Sequence, residues 1–281
     1  MELSNIKTIQ SILNKHSFSF KKSLGQNFLI NPNICPKMAE LAADSEMGVL
    51  EIGPGIGVLT KELSKTAKKV VAIELDERLK SILPETLQDC KNVEIIFGDA
   101  MKLDLKQILA EKFADCKAVS VCANLPYYIT SPIVMMLLES RLPIKNITVM
   151  VQKEAAERLC AKVGTRDAGA VTVAVSYYAD AEILFEVDRN SFMPPPNVDS
   201  AVIKLNILNE PKVKVDDEKK FFSIVKACFA QRRKTLVNTV SNTTSYQKEA
   251  IKNALKSMNL SETVRAEQLT IEQLAELSNK L

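Results

Sequence analysis

The chain has 281 residues, 46% hydrophobic and 25% charged, an ordinary globular composition long enough for one large domain and a smaller one. Its net charge of +3 is unevenly spread: 13 Lys and Arg face 8 Asp and Glu from Lys212 onward, four lysines precede Gly25, and the middle is mildly acidic. The longest apolar run, Ile133 to Leu138, is far below the roughly 20 residues of a bilayer span, and MELSNIKTIQ lacks a signal peptide's apolar core, so a cytoplasmic location without membrane contact is expected.

In chain order, the apolar runs VLEIG, KVVAIELD, NVEIIFGDA, AVSVCANLP and NITVMVQ predict buried parallel strands. Between them, KELSKTAKK, ERLKSILPETLQDC, KLDLKQILAEKFA and SPIVMMLLESR carry apolar residues at helical spacing. This alternation predicts a doubly wound α/β sheet. After NITVMVQ the rhythm changes: KEAAERLCAK predicts a helix, AGAVTVAVSYYA fits either state, and AEILFEVD and SAVIKLNIL predict two strands suited to an antiparallel edge. The polar, proline-bearing NEPKVKVDDE then separates a first domain, 1–209, from a helical second one, 210–281.

The segment LEIGPGIGVLTKEL ends a strand at Glu51 and turns into a helix through Gly53, Gly55 and Gly57. Glycines let backbone approach a ligand closely, although a tight strand-to-helix turn needs them as well. Val58 stands where a dinucleotide fingerprint would have its third glycine, so the pattern is GxGxG and a nicotinamide cofactor is disfavoured. Glu74 ends the second strand and Asp99 the third. At the carboxyl edge of an open α/β sheet, a carboxylate about 20 residues after the glycines accepts ribose hydroxyls, and Asp99 would face an adenine edge. Singly, each acid also reads as a helix N-cap; jointly they favour an adenosine-bearing cofactor.

The fourth strand delivers Asn124-Leu125-Pro126-Tyr127 to the same edge. The arrangement resembles the Asn-Pro-Pro-Tyr class of motif in S-adenosylmethionine-dependent amino methyltransferases, which implies as target an exocyclic adenine amine, a poor nucleophile until two acceptors draw its hydrogens out of the ring plane. The Asn124 side-chain carbonyl and the Leu125 backbone carbonyl supply two, Pro126 fixes the turn, and Tyr127 offers a face for the base. The alternative is a plain Asn-x-Pro-Tyr turn that closes a strand, with Tyr127 and Tyr128 as incidental surface. Six scattered cysteines without a CxxC pair and a lone histidine, His16, argue against a zinc site, so no metal is expected. The segment FAQRRKTL predicts a helix carrying Arg232, Arg233 and Lys234, suited to phosphate contacts or simply solvated.

In their joint order, FKKSLGQNFLINP, LEIGPGIGVLT, VAIELD, GDAM, ANLPYYITSPI, FMPPPNVDSAVIKL and FAQRRKTL resemble the KsgA/RsmA family of ribosomal RNA adenine dimethyltransferases over nearly the whole length. The resemblance implies a Rossmann-like methyltransferase domain followed by a small helical domain, with S-adenosylmethionine as methyl donor. It implies as substrate two adjacent adenosines near the end of small-subunit (16S) rRNA, in the small ribosomal subunit or its assembly precursor, with no obligate protein partner. It places Asn27 and Leu29 over the cofactor in a lid segment, Gly53 under the methionine part, Glu74 on the ribose, Asp99 at the adenine amine and Asn124 between donor and target. Phe192 would form a second aromatic wall opposite Tyr127, both domains would contact rRNA, and Lys15, Lys21 and Lys22 would assist. The resemblance extends to large-subunit rRNA methyltransferases that confer macrolide resistance, and the basic flanks also fit an assembly factor acting mainly by binding.

Overall fold

The structure, a computed structural model, describes residues 3–18 and 28–281. Asn27, Lys21 and Lys22 therefore lie outside the described residues. In chain order the elements are α1 (Ile6–Lys15), β1 (Phe28–Leu29), α2 (Ile34–Ala42), β2 (Gly48–Ile52), α3 (Val58–Thr66), β3 (Lys69–Glu74), α4 (Leu83–Thr86), β4 (Val93–Phe97) and α5 (Leu105–Lys112). They continue with β5 (Val119–Asn124), α6 (Tyr127–Glu139), β6 (Asn146–Gln152), α7 (Lys153–Leu159), α8 (Ala170–Tyr178), β7 (Ala179–Val187), β8 (Phe192–Met193) and β9 (Ser200–Ile207). Four helices follow: α9 (Glu218–Phe229), α10 (Leu236–Thr243), α11 (Lys248–Ser257) and α12 (Ile271–Lys280).

The chain divides into two compact units: one of residues up to Ala156 with Glu182–Ile207, the other of Glu157–Ala181 with Leu208–Leu281. In the first, seven strands run in the order β4-β3-β2-β5-β6-β9-β7. The pairs from β4 through β6 are parallel, whereas β9 lies antiparallel to β6 with Met150 facing Val202. All five residues of β2 are buried, as is most of β3, β5 and β6, which accounts for unbroken apolar runs instead of alternation. The chain starts at β2, works outward through β3 and β4, then returns to β5 on the other side. The order therefore reverses between β2 and β5, and that reversal opens a crevice at the carboxyl ends of the strands.

The helices of this unit follow their apolar spacing. In α1, Ile9, Ile12 and Leu13 turn inward against Ile56, Leu79 and Ile82, and the Asn5 side chain accepts the Lys7 N–H at 2.9 Å to start the helix. Two elements depart from the sequence expectation. The stretch from Glu77 is not one helix but a 3₁₀ turn, Glu77–Ser81, followed by the single turn of α4, because Pro84 interrupts the backbone donors. Helix α6 begins at Tyr127, four residues before the expected SPIVMMLLESR, with Pro126 as its extended N-cap.

The second unit is helical, with neighbouring packing among α8, α9, α10, α11 and α12. Its segment Glu157–Ala181 differs from the 1–209 and 210–281 division expected from sequence. The reason lies in α8: Tyr177 sits 5.5 Å from the Phe221 ring and 5.2 Å from Phe222, while Tyr178 stacks on Phe222, so α8 shares the core of α9. The ambiguous AGAVTVAVSYYA is thus a helix buried on most sides, from Thr172 to Val175 and at both tyrosines. Asp217, Thr235 and Thr270 accept backbone N–H bonds at the starts of α9, α10 and α12, each such cap contributing about 1 kcal/mol.

Candidate active site

The turn after β2 is built from residues in the left-handed region: Gly53 has φ +73°, Gly55 +58° and Gly57 +91°. Gly57 is also the N-cap of α3, and a Cβ there would lie 2.9 Å from Leu87 Cδ2, so both backbone and space demand glycine. Bare backbone at Gly53 and Gly55 therefore lines the crevice. The Gly55 N–H donates to Glu74 Oε2 at 3.0 Å, tying the turn to the end of β3.

Glu74 is 6% exposed, and its Oε1 accepts the Asp76 N–H at 2.7 Å. Burial pushes the carboxyl pKa up while these backbone donors pull it down. Each carboxylate oxygen retains a further lone pair, enough for a pair of hydroxyl donors. Asp99 follows β4; its Oδ1 accepts the Met101 N–H at 3.0 Å and its Oδ2 lies 3.5 Å from Lys102 Nζ. The turn-acceptor reading and the site-lining reading hold together for this residue, since it also faces the cavity.

Asn124 ends β5 opposite Met150 of β6. Among the described residues its side-chain amide has no hydrogen-bond partner, and it faces the cavity. The next turn is rigid: the Pro126 carbonyl accepts both the Ile129 N–H at 3.1 Å and the Thr130 hydroxyl at 3.0 Å. Tyr127 is anchored by a 2.7 Å bond between its hydroxyl and Ser200 Oγ, and burial raises its phenol pKa. Phe192 is 3% exposed on β8, paired with Leu29 of β1. Both residues line the cavity and also belong to the hydrophobic core, so they are wall and scaffold at once.

One cavity thus brings together Leu29, Gly53, Gly55, Glu74 and Asp99 with Asn124, Leu125, Pro126, Tyr127 and Phe192. The basic triad belongs to the helical unit and is not on a helix: α9 ends at Phe229, and Arg232, Arg233 and Lys234 occupy the exposed turn before α10. The Arg232 guanidinium donates to the Arg166 carbonyl at 2.6 Å and the Ala168 carbonyl at 3.0 Å, which makes it a brace for that loop. Lys15 is held by Glu85 at 2.9 Å, a carboxylate it shares with His16.

Sequence reasoning gave no role to Glu51. Its side chain lies in mid-sheet beside Cys122, Oε2 is buried without a hydrogen-bond partner among the described residues, and burial, opposed by the nearby Thr60 hydroxyl and reinforced by Glu74, pushes its pKa up to about 8. The signal was a carboxylate inside the otherwise apolar VLEIG. Ser200, the anchor of Tyr127, carried no signal, since 73 residues separate the two.

The family model described as Ribosomal RNA adenine dimethylase matches residues 17–281. A protein called Ribosomal RNA small subunit methyltransferase A from Geobacillus sp. (strain WCH70) is 50% identical over 276 residues, covering 97% of this chain and 95% of its own. Its namesake from Bacillus licheniformis is 49% identical over the same length, covering 97% and 94%. Among solved structures, a dimethyladenosine transferase from Plasmodium falciparum superposes with a TM-score of 0.70 at 29% identity, covering 89% of this chain and 95% of that one. The 23S rRNA methyltransferase ErmE does so at 0.68 and 28%, covering 91% and 99%. With a matched family model spanning most of the sequence and relatives half identical over nearly all of it, the chain belongs to the ribosomal RNA adenine dimethylase family and is an rRNA adenine N6,N6-dimethyltransferase.

Proposed function

We propose that the protein dimethylates the N6 amines of two adjacent adenosines in the 3′-terminal stem-loop of small-subunit rRNA during ribosome assembly, with S-adenosylmethionine as donor. The observation that carries this reading is the Asn124 amide, which has no hydrogen-bond partner among the described residues and stands at the end of β5 in the same cavity as Glu74, Asp99, Tyr127 and Phe192. The names of the half-identical relatives favour the small subunit as source of the RNA.

The cavity suits the donor: bare glycine backbone permits close approach, Glu74 keeps lone pairs for ribose hydroxyls, and Asp99 keeps acceptor capacity for an adenine amine. S-adenosylmethionine supplies, when bound, a methyl group on a positively charged sulfur that is a good leaving group. The chain's own residues prepare the nucleophile. The Asn124 Oδ1 and the Leu125 carbonyl accept the two amine hydrogens, which pulls the nitrogen lone pair out of conjugation with the ring. Tyr127 and Phe192 take the faces of the extruded base, a contact worth about 1 to 3 kcal/mol per ring. The Tyr127–Ser200 bond fixes one of these rings before substrate arrives, so little ordering remains to be done on binding. No general base is needed, because the proton leaves after methyl transfer.

Incubating the full chain with labelled S-adenosylmethionine and undermethylated small ribosomal subunits, with large subunits as control, tests this directly. Mass-spectrometric mapping of dimethyladenosine to adjacent positions of small-subunit rRNA is the expected result. Label confined to large-subunit RNA would move the substrate, and tight small-subunit binding without label would leave only an assembly role.

A further inference from the structure

Tyr127 and Tyr128 are neighbours in sequence with opposite surroundings. Tyr127 turns inward to Ser200; Tyr128, about 100° further round the first turn of α6, is 60% exposed yet still lines the cavity. Among the described residues the Tyr128 hydroxyl has no hydrogen-bond partner. Its backbone is fixed by the Pro126 cap and the Thr130–Pro126 bond, so the ring stands on a rigid base at the mouth. It is also one of six large hydrophobic side chains exposed among the described residues; two others, Leu75 and Met101, follow the cofactor-side acids Glu74 and Asp99, whereas Tyr128 follows the amine-holding turn. Because it follows Tyr127 on the first turn of α6, directly after the Asn124–Pro126 segment, it is assigned to the target side of the opening.

A base that enters this cavity must leave its stack, and the nucleotide beside it then loses a stacking partner on one face. An aromatic ring with only two side-chain torsions replaces that partner at low entropic cost, and it does so for any base because every base has a π face. We propose that Tyr128 is a substrate-binding residue that stacks on the nucleobase next in the chain to the target adenosine. The inference rests on the proposed function. Where the two targets are adjacent, each serves as the flanking base while the other is in the cavity. A dimethylated adenine keeps its π face, so the same ring serves both rounds.

The test uses the full chain as wild type, Tyr128→Phe and Tyr128→Ala, with undermethylated small subunits, labelled S-adenosylmethionine, and calorimetry for cofactor affinity. Tyr128→Ala should raise KM for the subunit by about 5- to 140-fold, the ~1 to 3 kcal/mol of a base–aromatic stack converted at ~1.4 kcal/mol per tenfold. Cofactor affinity and kcat should stay within about twofold, and Tyr128→Phe should match wild type. Reconstituted subunits in which one of the two adjacent adenosines is abasic provide the second arm. The abasic site should cost wild type the same factor in KM at the remaining adenosine and cost Tyr128→Ala nothing further. An unchanged KM in Tyr128→Ala, equal abasic losses in both proteins, or a loss confined to cofactor affinity would each overturn the inference. Wild type that leaves small-subunit RNA unlabelled would instead sink the proposed function, so the two failures are told apart.

Discussion

The two units of the chain differ in how far they obey local rules. The helical unit mostly keeps to them: α9, α10 and α12 each start on a side-chain cap, the apolar face of each helix closes on its neighbours, and the exceptions, Gly164 and Asn259 at positive φ and the buried Ser278 Oγ without a partner among the described residues, are scattered along the sequence. The sheet unit departs from such rules more densely around its cavity, where three glycines take positive φ, the buried Glu51 Oε2 lacks a partner among the described residues and a tyrosine stands exposed. Departures of that kind carry a cost that packing elsewhere must offset, so their density around one cavity fits the proposed role of that cavity.

The contrast is broken most severely at Asn124. Asn124→Ala should reduce methyl transfer on the order of 10²- to 10³-fold, by analogy with the loss of one preorganised polar contact to a reacting group, while calorimetry shows cofactor affinity within a few-fold. Unaltered turnover would remove the amine-acceptor role. Next in size, Glu74→Ala should weaken cofactor binding by about 10- to 100-fold, the worth of hydrogen bonds to an ionised carboxylate. Equal affinity in the calorimeter would take the ribose contact off this residue.

Glu51 sharpens the comparison through stability. Its folded pKa, about 8, lies above its unfolded value of 4.5, so between those limits the folded chain holds a proton the unfolded chain has released. That group's contribution to stability therefore falls as pH rises through this window and is level above it. Glu51→Gln should melt higher than wild type at pH 8 and above, with the gap closing towards pH 4.5; parallel melting curves across that range would contradict the burial argument. The smallest effects belong to the helical unit. Arg232→Ala should destabilise by about 1 to 3 kcal/mol through its two lost carbonyl contacts. Arg233→Glu with Lys234→Glu should leave the melting temperature in place, weaken RNA binding and flatten its salt dependence. A salt slope identical to wild type would make that turn mere solvated surface.

The parallel strands were legible because burial on both faces makes them continuous apolar runs, and Glu74, Asp99 and Asn124 because strand ends in such a sheet converge on one edge. What was not legible depended on distant or local breaks in pattern. Pro126 starts α6 early, Pro84 reduces an expected helix to two short turns, and the basic triad sits where a helix stops, since its charged residues fit a helix face and a turn equally well. Ser200 reaches Tyr127 across the sheet, and no spacing rule spans that separation. The lack of a hydrogen-bond partner for Glu51 Oε2 among the described residues is likewise a property of packing and not of pattern.

The path of the backbone has a practical corollary. It passes from the sheet unit to the helical one after Ala156, back after Ala181 and across again after Ile207. The helical unit is consequently not a detachable tail. A gene fragment ending near residue 209 would encode α8 without α9, leaving Tyr177 and Tyr178 without the phenylalanines that cover them. Such a product would be sticky and would invite aggregation, so swapping C-terminal segments among relatives requires exchanging two stretches of sequence together.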